Sequence, residues 1–259
     1  MKFWKISAAG NDFVLLYGIE KNKKYFEKKS PLLCDRHYGI GADGVLVINK
    51  IKSEFYLDYY NSDGTPAFCG NGTRSSGFWL YKNIIKKNVF YLNTVAGKLL
   101  IKIIGDKTYV RMPDPEFIKD VSLGKIKETM KFVRVGTNHL VIETRKIDRI
   151  DVVKEGRSLR YHPFFKPEGT NVDFVEVLDL KNGVLKAGIR TYEKGVEDET
   201  YSCSSGITSA FYALREKYKR DKAVFFTKKN EKFEIFFKDD ELFLSGPVKI
   251  VFRGEYEFF

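Results

Sequence analysis

The chain carries one short signature twice, and that duplication constrains its fold more than any other feature of its 259 residues. Cys69-Gly70-Asn71-Gly72-Thr73-Arg74-Ser75 and Cys203-Ser204-Ser205-Gly206-Ile207-Thr208-Ser209 both read Cys, then Gly three positions on, then Ser six positions on. The second copy begins 134 residues after the first, about half the chain. The flanks repeat as well. Ile207, Ala210, Phe211 and Leu214 recur at the spacing of one helix face, which predicts a helix after Cys203. Gly77 interrupts the matching segment after Cys69, which ends near Tyr81. Strand-like runs follow each helix, at 89–94, 98–104 and 108–112, then at 223–227, 232–237 and 241–244. A pair of runs precedes each cluster, at 45–49 and 54–60, then at 172–178 and 184–192, with Asn182-Gly183 as a hairpin signal. Arg36-His37 and Gly41-Ala42-Asp43 echo Tyr161-His162 and Gly169-Thr170-Asn171, and Asn11 has a partner in Asn138.

A strand-rich unit with one helix, used twice, predicts an α+β protein with two pseudo-symmetric halves. The boundary falls near Met112-Pro113-Asp114-Pro115, giving halves 1–112 and 113–250. Apolar residues make up 43%, enough for a core, which excludes a mainly disordered or collagen-like chain. No apolar run approaches the ~18–20 residues of a membrane helix. Met1-Lys2-Phe3-Trp4-Lys5 leads into Asn11-Asp12 without the apolar stretch of a signal peptide. Three scattered cysteines do not make a disulfide framework, so the expectation is a soluble, reduced, cytoplasmic protein without a membrane partner. The formal net charge is +11 at pH 7. It reads either as a Lys-rich solvated surface or as a phosphate-binding one. The lysines come in pairs and triplets rather than the block of a binding tail, which favours the first reading and no nucleic-acid partner.

Two cysteines in matching positions require an account. One is that both are buried small hydrophobes. The other starts from the Gly, Ser and Asn residues that open a helix after each. A helix N-terminus offers unpaired N–H groups and the positive end of a dipole, which lowers a thiol pKa and binds a carboxylate. Inverting a stereocentre next to a carboxylate takes one group to remove a proton from one face and another to deliver one to the opposite face. A thiolate and a thiol from two mirrored halves suit that task, without metal or pyridoxal cofactor. A redox disulfide is the alternative, although no Cys-x-x-Cys motif is present. Other motifs are weaker. Gly39-Ile40-Gly41-Ala42-Asp43-Gly44 matches a dinucleotide fingerprint but is followed by a strand run, not a helix. Cys34 and His37 have the spacing of half a zinc site with no second half, so Cys34 is read as core. His162 precedes Pro163 and reads as structural, and His139, beside Asn138, stands open between a structural and a site role.

These stretches, taken together, resemble diaminopimelate epimerase over essentially the whole chain. The resemblance is carried by Gly10-Asn11-Asp12-Phe13, the run from Cys34 to Gly44, Asn61-Ser62-Asp63-Gly64, the Cys69 cluster, Gly169-Thr170-Asn171-Val172, and Tyr192 to Thr200 leading to Cys203. It implies a cofactor-independent epimerase that interconverts LL- and meso-diaminopimelate on the way to lysine and peptidoglycan precursors. It implies two halves, each a β-barrel-like mixed sheet around a central helix, with the last strand, 251–259, returning to the first half, and a homodimer. By match, Cys69 and Cys203 are the acid/base pair. Asn11, Asn61, Gly70, Asn71, Asn171, Glu193, Lys194, Ser204 and Ser205 bind the amino-acid substrate, and His139 and Glu193 tune the thiols. Three residues depart from the family pattern. Lys194 replaces an Arg, so the two-pronged grip on a carboxylate is lost. Ser204 replaces a Gly, and Asn138 precedes His139 where Pro is usual. A racemase of the same family acting on another amino acid, and a basic binding protein that has lost catalysis, are the competing readings.

Overall fold

The computed structural model describes residues 1–124 and 128–257. The chain divides into two compact units, Met1–Arg111 with Gly246–Phe259, and Met112–Ser245.

The first unit begins with β1 (Lys2–Ala8), β2 (Asn11–Tyr17), α1 (Lys23–Cys34), β3 (Gly44–Ile51), β4 (Glu54–Asn61) and β5 (Pro66–Ala67). It continues with α2 (Gly70–Asn83), β6 (Val89–Thr94), β7 (Gly97–Ile104) and β8 (Lys107–Arg111). The sheet is mixed. β1 and β2 are antiparallel, β2 and β3 parallel, and β3 and β4 antiparallel. β4 then pairs antiparallel with β5 and parallel with β6, and β6, β7 and β8 form a meander. α2 touches β1 to β4 and β6 to β8, so the sheet wraps around it as around an axle. This explains why β2 buries Phe13-Val14-Leu15-Leu16 without a polar break. Alternate side chains leave a strand on opposite faces, and here both faces are covered. Val14 and Leu16 pack with Val45, Val47 and the α1 residues Phe26 and Leu33. Trp79 of α2 meets the rings of Trp4 and Tyr17, with centroids 4.7 and 5.0 Å away. Cys34 lies buried in the α1 cluster, and burial pushes its thiol up to about 12.

The second unit comprises β9 (Phe117–Val121), β10 (Met130–Val135), β11 (Thr137–Glu143), α3 (Val152–Arg160), β12 (Asn171–Asp179), β13 (Leu185–Glu193) and β14 (Asp198–Thr200). α4 (Ser204–Tyr218), β15 (Lys222–Phe226), β16 (Lys232–Lys238) and β17 (Glu241–Ser245) complete it. Its pairings follow the first unit strand for strand. The parallel pairs are β11 with β12 and β13 with β15, and the others are antiparallel. α4 packs on β10 to β13. Ile207, Ala210, Phe211 and Leu214 are all buried there, as their spacing predicts. The chain then returns to the first unit as β18 (Lys249–Glu255), which pairs with β1 as β9 pairs with β10. Residues 258 and 259, the end of the strand expected at 251–259, lie outside the described residues.

The fold is thus α+β, a mixed sheet around a helix in each unit. Two details differ from the sequence pattern. α2 runs unbroken through Gly77 and ends at Asn83, just past the end expected near Tyr81. A Cβ there would lie 3.0 Å from Ile101 Cγ2, so glycine lets the helix press against β7. Each unit also has a second helix where the pattern points to one. α1 hides its periodicity under lysines and an internal Pro31. α3 buries only Val152, Gly156 and Leu159, a face whose central member is a glycine. No helix among the described residues is long and apolar enough to cross a membrane.

Candidate active site

In both units the cysteine is the N-cap of the axial helix. Cys69 is extended (φ −135°, ψ 112°), and its Sγ accepts the Gly72 N–H at 3.3 Å. Cys203 has nearly the same backbone (φ −127°, ψ 110°), and its Sγ accepts the Gly206 N–H at 3.4 Å. Sulfur here takes the place of the usual Ser or Asp oxygen and meets one of the helix's first donors. Each sulfur therefore sits at the positive end of a helix.

The surroundings of the two caps differ. In the first unit Cys69 Sγ lies 4.0 Å from Asn11 Oδ1, which also accepts from Asn71 Nδ2 at 3.3 Å. Asn11 is held in turn, donating to Asp43 Oδ2 at 2.9 Å. Behind Asp43 stands a charged lattice. Arg36 Nη2 reaches Asp43 Oδ1 and Asp12 Oδ1, each at 2.8 Å, and Lys5 pairs with Asp12 and donates to the Gly41 carbonyl. On the helix side Arg74, only 1% exposed, donates from Nη2 to Asn71 Oδ1 at 2.8 Å. Burial pushes the Arg74 guanidinium down to about 10, opposed by the charge of Cys69. Gly70 opens α2 beside the cap. Asn61 ends β4 and is engaged by Tyr59 Oη at 2.9 Å and Thr65 Oγ1 at 3.0 Å.

Asp12 links this lattice to stability. Burial alone would raise its pKa, but the Arg36 and Lys5 bonds and charges outweigh it and leave the carboxyl below its ordinary value. A depressed native pKa stabilises the fold above the unfolded value, about 3.9, and is lost as pH falls through the lower native value. Acid unfolding of the wild type should therefore steepen below about pH 4, and Asp12→Asn should flatten that limb. Equal acid slopes for the two proteins, followed by circular dichroism, would contradict this.

In the second unit Cys203 Sγ lies 3.3 Å from Ser205 Oγ, and Ser205 Oγ lies 3.0 Å from His139 Nε2. His139 Nδ1 meets Asp173 Oδ2 at 2.7 Å, and Thr191 Oγ1 donates to Asp173 Oδ1 at 2.7 Å. Asn171 Nδ2 donates to the Asn138 carbonyl at 2.8 Å, while its Oδ1 accepts the Lys194 N–H at 2.8 Å. Burial raises the Cys203 thiol well above its ordinary value. The charges of Glu193 and Asp173 raise it further, against smaller opposing effects from Ser205 and the Gly206 N–H. Cys203 is therefore protonated at neutral pH. Gly206 is required by the close approach of β12, since a Cβ there would lie 2.5 Å from Asp173 Oδ1. Ser204 is buried and accepts from Thr208 Oγ1 through its carbonyl, whereas the Lys194 side chain is exposed.

The structure thus gathers Asn11, Gly70 and Asn71 around Cys69, and His139, Asn171, Glu193, Ser204 and Ser205 around Cys203, with Lys194 attached through its backbone. Sequence reasoning passed over Arg74, Asp43, Thr191 and Asp173. Asp173 left one trace, a carboxylate among the apolar residues that open the run 172–178, two residues from Asn171 and so on the same strand face. No group of His, Cys, Asp and Glu able to hold a metal occurs among the described residues.

Known proteins match this framework. The family model described as diaminopimelate epimerase matches residues 3–118. A diaminopimelate epimerase of Campylobacter jejuni is 36% identical, covering 100% of both chains. One of Aquifex aeolicus is 32% identical over 98% of this chain and 97% of its own. The chain belongs to the diaminopimelate epimerase family. Solved structures extend the likeness in fold alone. A Bacillus anthracis phenazine biosynthesis protein of the PhzF family has a TM-score of 0.75 at 13% identity, covering 100% of this chain and 99% of that one. A hydroxyproline epimerase of Agrobacterium vitis has a TM-score of 0.71 at 12% identity, covering 98% and 91%. The mixed sheet around a capped helix is thus a scaffold that this family shares with others.

Proposed function

We propose that the chain is an isomerase that interconverts LL- and meso-diaminopimelate, with Cys69 and Cys203 as its two proton carriers. One observation carries the mechanism: each unit places a thiol, and no other side chain, as the cap of its axial helix. One sulfur, as thiolate, takes the α-proton. The other, as thiol, supplies a proton to the opposite face of the carbon, and the roles exchange for the reverse reaction. The unequal surroundings suggest a resting assignment. Arg74 sets a cation near Cys69, while burial and two carboxylates keep Cys203 protonated. N–H groups at the helix ends, with Asn11, Asn61, Gly70, Asn71, Asn171, Glu193, Lys194, Ser204 and Ser205, bind the amino acid and steady negative charge as it develops. No pyridoxal phosphate or metal takes part. The remaining context of the proposal is a cytoplasmic homodimer serving lysine and peptidoglycan-precursor synthesis.

A second reading keeps the chemistry and changes the substrate. Ser204 is buried where the family usually has glycine, and Lys194 offers a point charge where an arginine would grip a carboxylate at two points. Incubation in heavy water decides between them. Deuterium should enter the α-carbon of LL- and meso-diaminopimelate as the isomers interconvert. Label entering another amino acid and not diaminopimelate would replace the first reading with the second. No label in any amino acid, with salt-dependent nucleic-acid binding, would point to a binding protein instead.

A further inference from the structure

A buried thiol beside two carboxylates holds its proton and resists becoming the thiolate, the form it must reach both to protonate substrate and to act as base. We propose that Asp173 is the positioning residue that resolves this, acting on Cys203 through His139 and Ser205. The inference rests on the reading that Cys203 exchanges protons with substrate.

The hydrogen-bond directions follow from the chemistry of the partners. A carboxylate only accepts. Asp173 Oδ1 already takes the Thr191 hydroxyl proton at 2.7 Å, so Oδ2, at 2.7 Å from His139 Nδ1, takes the ring N–H. A neutral imidazole with its proton on Nδ1 presents Nε2 as an acceptor. Asn171 Nδ2, a donor, lies 3.5 Å from the same Nε2, in keeping with that tautomer. Ser205 Oγ, at 3.0 Å, donates its proton to Nε2, which leaves oxygen lone pairs to accept the Cys203 S–H at 3.3 Å. The donors thus run one way, from thiol to hydroxyl to imidazole.

For Cys203 to act as base, the S–H proton passes to Ser205 Oγ as the proton of Ser205 passes to His139 Nε2. The products are a thiolate and an imidazolium, with no change in net charge. Asp173 faces the imidazolium and offsets its charge. For Cys203 to act as acid the same steps run backwards: the S–H proton goes to the substrate carbon while the ring is imidazolium, and Nε2 then returns its proton through Ser205 Oγ to the sulfur. The titratable groups facing this chain are Asp173 from β12, Glu193 from the end of β13, and His139 from β11. Among its described residues the first unit has no equivalent. The register of its parallel strands pairs Phe13 with Gly44, as Leu140 pairs with Val172, which puts Val45 in the place of Asp173. Asn71, in the place of Ser205, meets Asn11 and Arg74.

Two measurements on the full chain test the proposal. The first needs no substrate. With only three histidines in the sequence, 15N-histidine labelling and a His139→Gln control assign the ring of His139. The neutral wild-type ring should carry its proton on Nδ1, with Nε2 bare. A proton on Nε2 overturns the proposal, even if no variant can be purified. The second uses α-hydrogen exchange with diaminopimelate. Asp173→Asn should lower kcat about 10–100-fold with KM within about twofold of wild type. In a His139→Gln background the same change should add nothing, because its effect is already lost. A wild-type kcat in Asp173→Asn, or an equal fold-loss in both backgrounds, overturns the proposal. A wild type that exchanges no diaminopimelate hydrogen sinks the proposed function instead, and the ring tautomer still judges Asp173.

Discussion

Cys203→Ser and Cys69→Ser should each reduce turnover of diaminopimelate by about 10²–10⁴-fold, the contribution of a positioned acid or base. Serine preserves the cap almost atom for atom, since an oxygen accepts the same N–H from the residue three positions on. The helix and the unit around it should therefore stay folded, and the lost activity can be assigned to proton transfer. A hydroxyl is a far weaker acid than a thiol and yields no useful base at neutral pH. The two variants should fail for complementary reasons. Cys69→Ser removes the sulfur that interacts with the buried Arg74 cation, and Cys203→Ser removes the one held protonated among Glu193 and Asp173. Circular dichroism and α-hydrogen exchange should be measured side by side. Substantial turnover by either folded variant would remove that sulfur from the chemistry.

Glu199→Ala should destabilise the second unit by about 1.5–3 kcal/mol, because it leaves a half-buried guanidinium without its counter-charge and hydrogen-bond partner. Arg190 grips Glu199 with Nε at 2.7 Å and Nη2 at 2.8 Å, and Lys228 adds a third bond at 2.7 Å. The side chains of Arg190 and Glu199 are only 12% and 9% exposed. The Nη1 of Arg190 meanwhile ties down the carbonyls of Ile147 and Ile150, at 2.9 and 3.0 Å. Removing the carboxylate thus frustrates a hub that joins β13, β14 and the loop ahead of α3. Replacing both partners, as Arg190→Met with Glu199→Leu, should recover much of the loss, since the burial cost of the charges goes with them. Urea unfolding of the three proteins measures this, and an unaltered midpoint for Glu199→Ala would show that water reaches the pair.

The duplicated cysteine clusters were legible because each combines a cap, a glycine and a helix start within seven residues, and local geometry of that kind leaves a local trace. The strands announced themselves by β-branched and aromatic runs, as in β12 and β13. The extra helices did not. α1 and α3 each bury a narrow stripe, and Pro31 and Gly156 contradict helix at the level of propensity. The chain names the two cysteines and the resemblance adds His139 and Glu193, but neither points to Arg74 or Asp173. His139 comes within reach of Ser205 only because β11 and α4 pack together across 66 residues of sequence. Arg74 stands inside the Cys69 cluster, yet its burial on the inner face of α2 has no signature in one dimension. Asp173 and His139 become neighbours through the parallel pairing of β11 with β12, a register no short pattern specifies.

Because the capping atom at each axial helix is itself ionisable, the end of the helix and the state of the sulfur are one variable. A thiolate attracts the amide hydrogen of Gly72 or Gly206 more strongly than a thiol does. Every turnover would therefore tighten one first turn while slackening the other. The backbone nitrogens of those two glycines offer spectators of the catalytic cycle, readable without any label on the substrate.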